Sequence, residues 1–244
     1  MLVHPYDIEF TQDSGLANNG RFFGLLMEEY PSIPAAKRKF YTYEIPGRAG
    51  ELLQDTHTKS NVEFSVPLTL VVPEENQLEY TDYIAQVQRW LRGPGWVKFS
   101  DIWPWRYKVL NCQFNTSDRI TPLYGECSAN FVVEPYKYHD NGLKYYPASE
   151  IKYNGYDECM PLYEITGEAL GSITINGYTV SINVGQNLII DTKAQLTYRK
   201  SNGQVINTAI TGDYKKMRLP NGPVSITATN GLSVKVMPRW GYEL

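Results

Sequence analysis

The stretch Ile173-Thr174-Ile175-Asn176-Gly177-Tyr178-Thr179-Val180 reads as two short strands joined by a tight turn. Asn-Gly is the strongest short-range hairpin signal, because both central turn positions need a positive φ and these residues tolerate it. The dipeptide recurs as Asn202-Gly203, Asn221-Gly222 and Asn230-Gly231, among the strand-like segments Leu196–Arg199, Met217–Leu219, Val224–Ala228 and Val234–Met237. Many short strands with such turns predict a β-sandwich or barrel.

Moving toward the N-terminus, the texture changes between Pro135 and Glu150, where Pro, Gly, Asn and charge cluster without periodicity. A domain boundary is expected there, giving domains 1–140 and 141–244. Ahead of it, Leu123, Cys127, Ala129, Phe131 and Val133 fall on one face, with Glu126, Ser128, Asn130 and Glu134 on the other. That period of two marks a half-buried strand. Val62, Phe64, Val66, Leu68 and Leu70 alternate in the same way, and Trp96–Phe99 and Arg106–Phe114 are strand-like. The first segment, to about Glu29, reads as strand, turn and strand. One helix interrupts the pattern. Pro73-Glu74-Glu75 opens it, and Tyr80, Ile84, Val87 and Leu91 share a face, with Trp90 beside that stripe. Arg89 and Arg92 sit at its end and Gly93-Pro94-Gly95 stops it. The expected fold is mainly β: an N-terminal sandwich or barrel-like domain with one helix, then a C-terminal β-sandwich.

Composition narrows the function. The chain has 244 residues, 42% hydrophobic and 20% charged, as an ordinary folded protein does. Its nineteen tyrosines suit strands and interfaces, where one side of a ring packs and the tip stays wet. A formal net charge of −3 offers no basic surplus for displacing counterions, so no specific nucleic-acid binding is expected. The runs Lys37-Arg38-Lys39 and Lys215-Lys216 read as solvated faces, with a docking patch as the alternative. The start, Met1 to Asp7, lacks the features of a secretory signal. No apolar run approaches the ~20 residues that cross a bilayer, so no membrane role is expected. The three cysteines, Cys112, Cys127 and Cys159, have no metal-like spacing, Cys112 and Cys127 read as small buried hydrophobes, and folding in a reducing cytosol fits.

Chemistry is hard to find. His4, His57 and His139 are scattered. The adjacent acids Glu28-Glu29, Glu74-Glu75 and Asp157-Glu158 make no dyad by themselves, because neighbours on a strand or a helix diverge. No catalytic residue, metal or cofactor is expected. Trp103, Trp105 and Trp240 could stack on sugar rings, but packing or a subunit contact is the favoured reading. The segment Ile45-Pro46-Gly47-Arg48-Ala49-Gly50 carries no nucleophile and no phosphate cradle. It is a tight turn, with Gly47 and Gly50 supplying positive φ, or a docking element; its composition does not separate the two.

These residues, in this order, resemble the distal tail (Dit) proteins of long, non-contractile-tailed bacteriophages. The resemblance rests on Ile45–Gly50, the strand to Leu70, the helix ending Trp90-Leu91 and the strand Cys127–Glu134 running into Pro135-Tyr136-Lys137. In the second half it rests on Ile173–Val180, Leu188–Asp191 and Met237-Pro238-Arg239-Trp240. It implies a non-enzymatic homohexameric ring closed by the N-terminal domains, with the tail tube protein on one side and the tail-associated (tail-tip) protein on the other. It also implies a galectin-like C-terminal sandwich to which receptor-binding or other baseplate proteins attach, and a place in the virion tail after assembly in the bacterial host cytoplasm. Some members carry inserted carbohydrate-binding modules; this chain has no spare length for one. In such a ring Pro46, Gly47, Arg48 and Gly50 are expected at an intersubunit contact.

Overall fold

A computed structural model describes residues 6–72, 80–121, 123–168, 170–229 and 231–244. The chain forms two compact units, Met1–Lys137 with Glu243–Leu244, and Tyr138–Tyr242.

The first unit is built on β1 (Ile8–Gln12), β2 (Ala17–Asn19), β3 (Leu25–Met27), β4 (Arg38–Tyr43), β5 (Leu52–Lys59), β6 (Val62–Val71), α1 (Tyr80–Trp90), β7 (Gly95–Phe99), β8 (Trp105–Thr121) and β9 (Tyr124–His139). Its main sheet runs β2-β1-β7-β8-β9-β6-β3. The two end strands are neighbours in sequence, joined by the 3-10 turn Gly20–Phe23, so the sheet curls toward closure around its core. The alternation in β6 is as expected: Val62, Val66, Leu68 and Leu70 are buried, and Glu63, Ser65 and Val71 are exposed. On β9, Cys127, Ala129, Phe131 and Val133 point inward. Leu123 does not join them. It lies in the turn before the strand, where it is exposed, and the inward phase begins at Gly125.

The helix buries Tyr83, Ile84, Val87 and Trp90 in the same core, followed by Leu91. Its opening at Pro73-Glu74-Glu75 lies outside the described residues. Trp90, expected beside the stripe, is one of the largest buried side chains in the molecule. It stacks on Phe23 at 5.0 Å, and its indole N–H donates to the Phe10 carbonyl at 2.9 Å. The Gln12 side-chain amide caps the end of this helix by donating to the carbonyls of Arg89 and Trp90, at 2.7 and 2.9 Å. The last carbonyls of a helix have no intrahelical N–H, and that of Trp90 also accepts from the Arg92 N–H at 3.0 Å.

The segment from Pro135 has regular structure where the sequence shows no periodicity. β9 runs on to His139, and a 3-10 turn follows at Asp140–Leu143. Proline is tolerated there because the ladder with β6 ends at Val133, opposite Val62. The Leu244 N–H donates to the Pro135 carbonyl at 3.0 Å. Pro135 has no N–H to return. The Leu244 carbonyl accepts instead from the Ala36 N–H at 3.1 Å and from Lys59 Nζ at 3.0 Å.

The second unit holds β10 (Tyr146–Pro147), β11 (Tyr153–Asn154), β12 (Leu162–Gly167), β13 (Leu170–Ile175), β14 (Tyr178–Asn183), β15 (Gln186–Asp191), β16 (Leu196–Arg199), β17 (Ile210–Thr211), β18 (Gly222–Pro223), β19 (Ile226–Ala228) and β20 (Ser233–Met237). A sheet ordered β10-β20-β12-β15-β16 and another ordered β17-β14-β13-β19 supply one shared core, which is a sandwich. The β13–β14 hairpin turns at Asn176 and Gly177, with φ of 48° and 84°. Tyr163 is fully buried and its hydroxyl donates to the Met217 carbonyl at 2.7 Å. The expected strand Met217–Leu219 is instead the end of a 3-10 helix, Tyr214–Met217. Asp213 caps that helix by accepting from the Lys215 N–H at 2.9 Å, a local bond that competes with extension into a strand. Asn221-Gly222 is likewise no hairpin turn, since Gly222 sits in β18, paired with Asn154. Asn230 lies outside the described residues.

Candidate assembly surface

The arm formed by β4 and β5 stands apart from the core of the first unit. The two strands pair only with each other, in the register Phe40↔Asp55, Tyr41↔Gln54, Thr42↔Leu53 and Tyr43↔Leu52. All six residues of β4 are exposed, and so are Leu52 and Leu53. Tyr41 is 62% accessible and Leu53 61%, and Phe40, Tyr43, Ile45 and Leu52 are also exposed. Aromatic and β-branched residues are what strands select, but they select them for a pleated surface that is half covered. An isolated two-stranded ribbon is marginal in water. Six large apolar side chains on one such ribbon therefore describe a surface that lacks its cover.

The tip holds Pro46, Gly47, Arg48 and Gly50, all exposed. The Arg48 N–H closes a turn on the Ile45 carbonyl at 3.1 Å. Gly47 and Gly50 have φ of 83° and 86° and open space around them, so they are required by the backbone and not by crowding. At the root, the Ser60 N–H donates to the Lys37 carbonyl at 2.8 Å. Lys59 reaches Glu243 at 2.7 Å as well as the Leu244 carbonyl. The last two residues of the sequence thus hold both legs of the arm, one at Ala36 and the other at Lys59.

The candidate tryptophans have unlike surroundings. Trp103 is 61% exposed. Trp105 is partly covered, with Lys137 Nζ at 5.1 Å from its ring. Trp240 belongs to the second unit, where it packs against Tyr146 and Tyr156 at 5.5 and 6.0 Å. Sequence reasoning picked out the tip but missed the flanking apolar residues of the arm. Tyr41, Tyr43, Leu52 and Leu53 carry the same letters as a core strand, and only the missing third strand distinguishes them.

Among the described residues no three metal-ligating side chains converge. His139 accepts from the Asn141 N–H through Nδ1, and His57 lies on the exposed arm beside Asp55. His4 lies outside the described residues. The thiols are buried, which pushes Cys112 and Cys127 up to about 12 and Cys159 to about 11. A shallow hollow lined by Gln88, Arg89, Arg92, Cys112 and Gln113 holds no acid or histidine. No helix among the described residues is long and apolar enough to cross a membrane.

Two solved structures share this architecture. The distal tail protein (Dit) of phage SPP1, described as a paradigm of the hub adsorption apparatus in phages infecting Gram-positive bacteria, aligns with a TM-score of 0.64. The match has 14% identity and covers 97% of this chain and 99% of that one. The fold is that of Dit. A chain of the phage p2 baseplate, in its activated conformation with strontium, aligns at a TM-score of 0.50 with 8% identity, over 94% of this chain and 97% of that one. No family model matches the sequence, and no curated protein does. The shape of both units is thus retained where sequence identity has almost vanished.

Proposed function

We propose that this protein is a structural hub of a phage tail. Six copies close a ring through the first unit, the tail tube protein meets one side, and the tail-associated protein continues from the other. The second unit, galectin-like, carries receptor-binding or other baseplate parts. The protein acts in the virion tail after assembly in the host cytoplasm, by shape and adhesion without catalysis. The observation that carries this reading is the full-length correspondence with a hub protein. The uncovered arm supports it, because a closed ring needs two different complementary surfaces on each subunit. Pro46, Gly47, Arg48 and Gly50 lie at the end of that arm and are assigned to the intersubunit contact. Native mass spectrometry of the purified chain, with electron microscopy of particles, tests the reading. Six copies in a hollow ring are expected, and Arg48→Glu should weaken the ring while the monomer stays folded. A monomer that also ignores the tube and tail-tip proteins would refute it.

A further inference from the structure

If the arm is one half of the ring contact, the molecule must also present the other half. We propose that the second surface is the outer face of the seam between β3 and β6, and that one side of the arm of a neighbouring copy seats on it; this rests on the ring reading above.

The register divides the arm into two unlike faces. Phe40 and Leu53 share one with the ion pair Arg38–Asp55, 3.4 Å apart. Tyr41, Tyr43 and Leu52 share the other with Gln54, no acid stands among the paired positions of that face, and Lys39 lies two residues before Tyr41, at the register shift. The second face is therefore apolar with a surplus cation. Its partner should be apolar and acidic.

The seam has that character. Leu25 and Met27 point into the core, so Leu26 faces outward, opposite Thr69. Val71 lies two residues further along the same outward side, and its N–H donates to the Gly24 carbonyl at 2.9 Å. Phe22, 67% exposed, stands two residues before that glycine. The charges around the patch are mostly acidic. Glu28 accepts from the Thr69 hydroxyl at 3.0 Å, and Glu126 is cross-strand from Thr69 on the same face. Arg21, next to Phe22, has Asp7 beside it. Contiguous apolar surface of this kind, rimmed by one sign of charge, marks an interaction site. A second copy is the occupant because this chain itself supplies the matching face, apolar with the opposite charge. The contact joins unlike surfaces, as ring closure requires.

Cross-linking in the full-length chain decides the matter. The native thiols are buried, so engineered cysteines are the reactive ones. The double variant Leu26→Cys with Leu52→Cys, treated with a short bis-maleimide under assembling conditions, should give a ladder of covalent multimers, and neither single variant should. Lys39→Glu should raise the concentration for half-assembly roughly tenfold or more, through like-charge contact with the acidic rim, and adding Glu28→Lys with Glu126→Lys should restore assembly. A ladder from Leu52→Cys alone would mean that arm meets arm and would overturn the proposal. So would rings that form normally yet give no ladder and ignore the charge reversal, and these would leave the hub reading intact. Absence of any ring by native mass spectrometry, together with no binding to the tube and tail-tip proteins, would overturn both.

Discussion

Two hairpins in this chain share a local design and differ in their surroundings. The β13–β14 hairpin puts Ile173, Ile175, Val180 and Ile182 inward, each no more than 2% exposed, and leaves Ser172, Thr174, Thr179 and Ser181 outside. The β4–β5 arm has a comparable supply of apolar side chains and buries none of its large ones. In the first hairpin a facing sheet of the same unit covers one side. In the second no element among the described residues does, and both sides carry apolar residues. Alternation therefore records how many faces a strand must keep dry, and the arm has two.

The comparison breaks most easily in the second unit. Ile173→Ala should cost about 2–5 kcal/mol, since the methyls removed leave a cavity in a closed core. Denaturant unfolding followed by tryptophan fluorescence would read it, and a loss near zero would mean that the sandwich is poorly packed. The matched change on the arm, Tyr41→Ser with Leu53→Ser, should move stability by no more than ~0.5 kcal/mol per site while reducing assembly. A large fall in the monomer's melting temperature would show that the arm is covered within its own chain. Glycines give a smaller contrast. Gly177→Ala and Gly47→Ala each force a side chain into the left-handed region, at φ of 84° and 83°, a strain of roughly 1–2 kcal/mol. Only the first should lower global stability, because only that turn is tied to a core; hydrogen exchange would place the second effect within the arm alone.

Acid sharpens the contrast least but adds a sign. Burial raises the pKa of Asp191, but the two-pronged bond from Arg239, at 2.7 and 2.8 Å, and nearby backbone N–H groups outweigh it, so the carboxyl lies below its ordinary value. A depressed carboxyl stabilises the fold at neutral pH. That contribution should fade only as pH drops below about 4 and on through the folded value. Asp191→Asn should flatten the acid limb of stability against pH in the second unit. An unchanged limb would assign acid unfolding to other carboxylates.

Much of this fold was legible because its periods are short. Val62–Leu70 alternates strictly, Asn176-Gly177 dictates its own turn, and Ile84, Val87 and Leu91 mark a helical face. What escaped is non-local. Pro135 looks like a breaker unless it is known that the opposing ladder stops at Val133. Met217 looks like a strand residue until the Asp213 cap is seen. Which side chains pack on Trp240 is equally non-local: Tyr146 and Tyr156 stand 94 and 84 residues away. The candidate surface was half legible: a glycine-rich tip without chemistry left docking open as one of two readings, but the exposure of Tyr41 and Leu53 was not foreseen, because sequence does not say whether a strand has a cover.

The return of Glu243 and Leu244 to the first unit has a mechanical consequence. The backbone passes between the units twice, after Lys137 and again after Tyr242, so a pull on the second unit is divided between two tethers. One of those tethers ends on Ala36 and Lys59, where the arm is rooted. A load on the second unit would thus reach the roots of the β4–β5 arm.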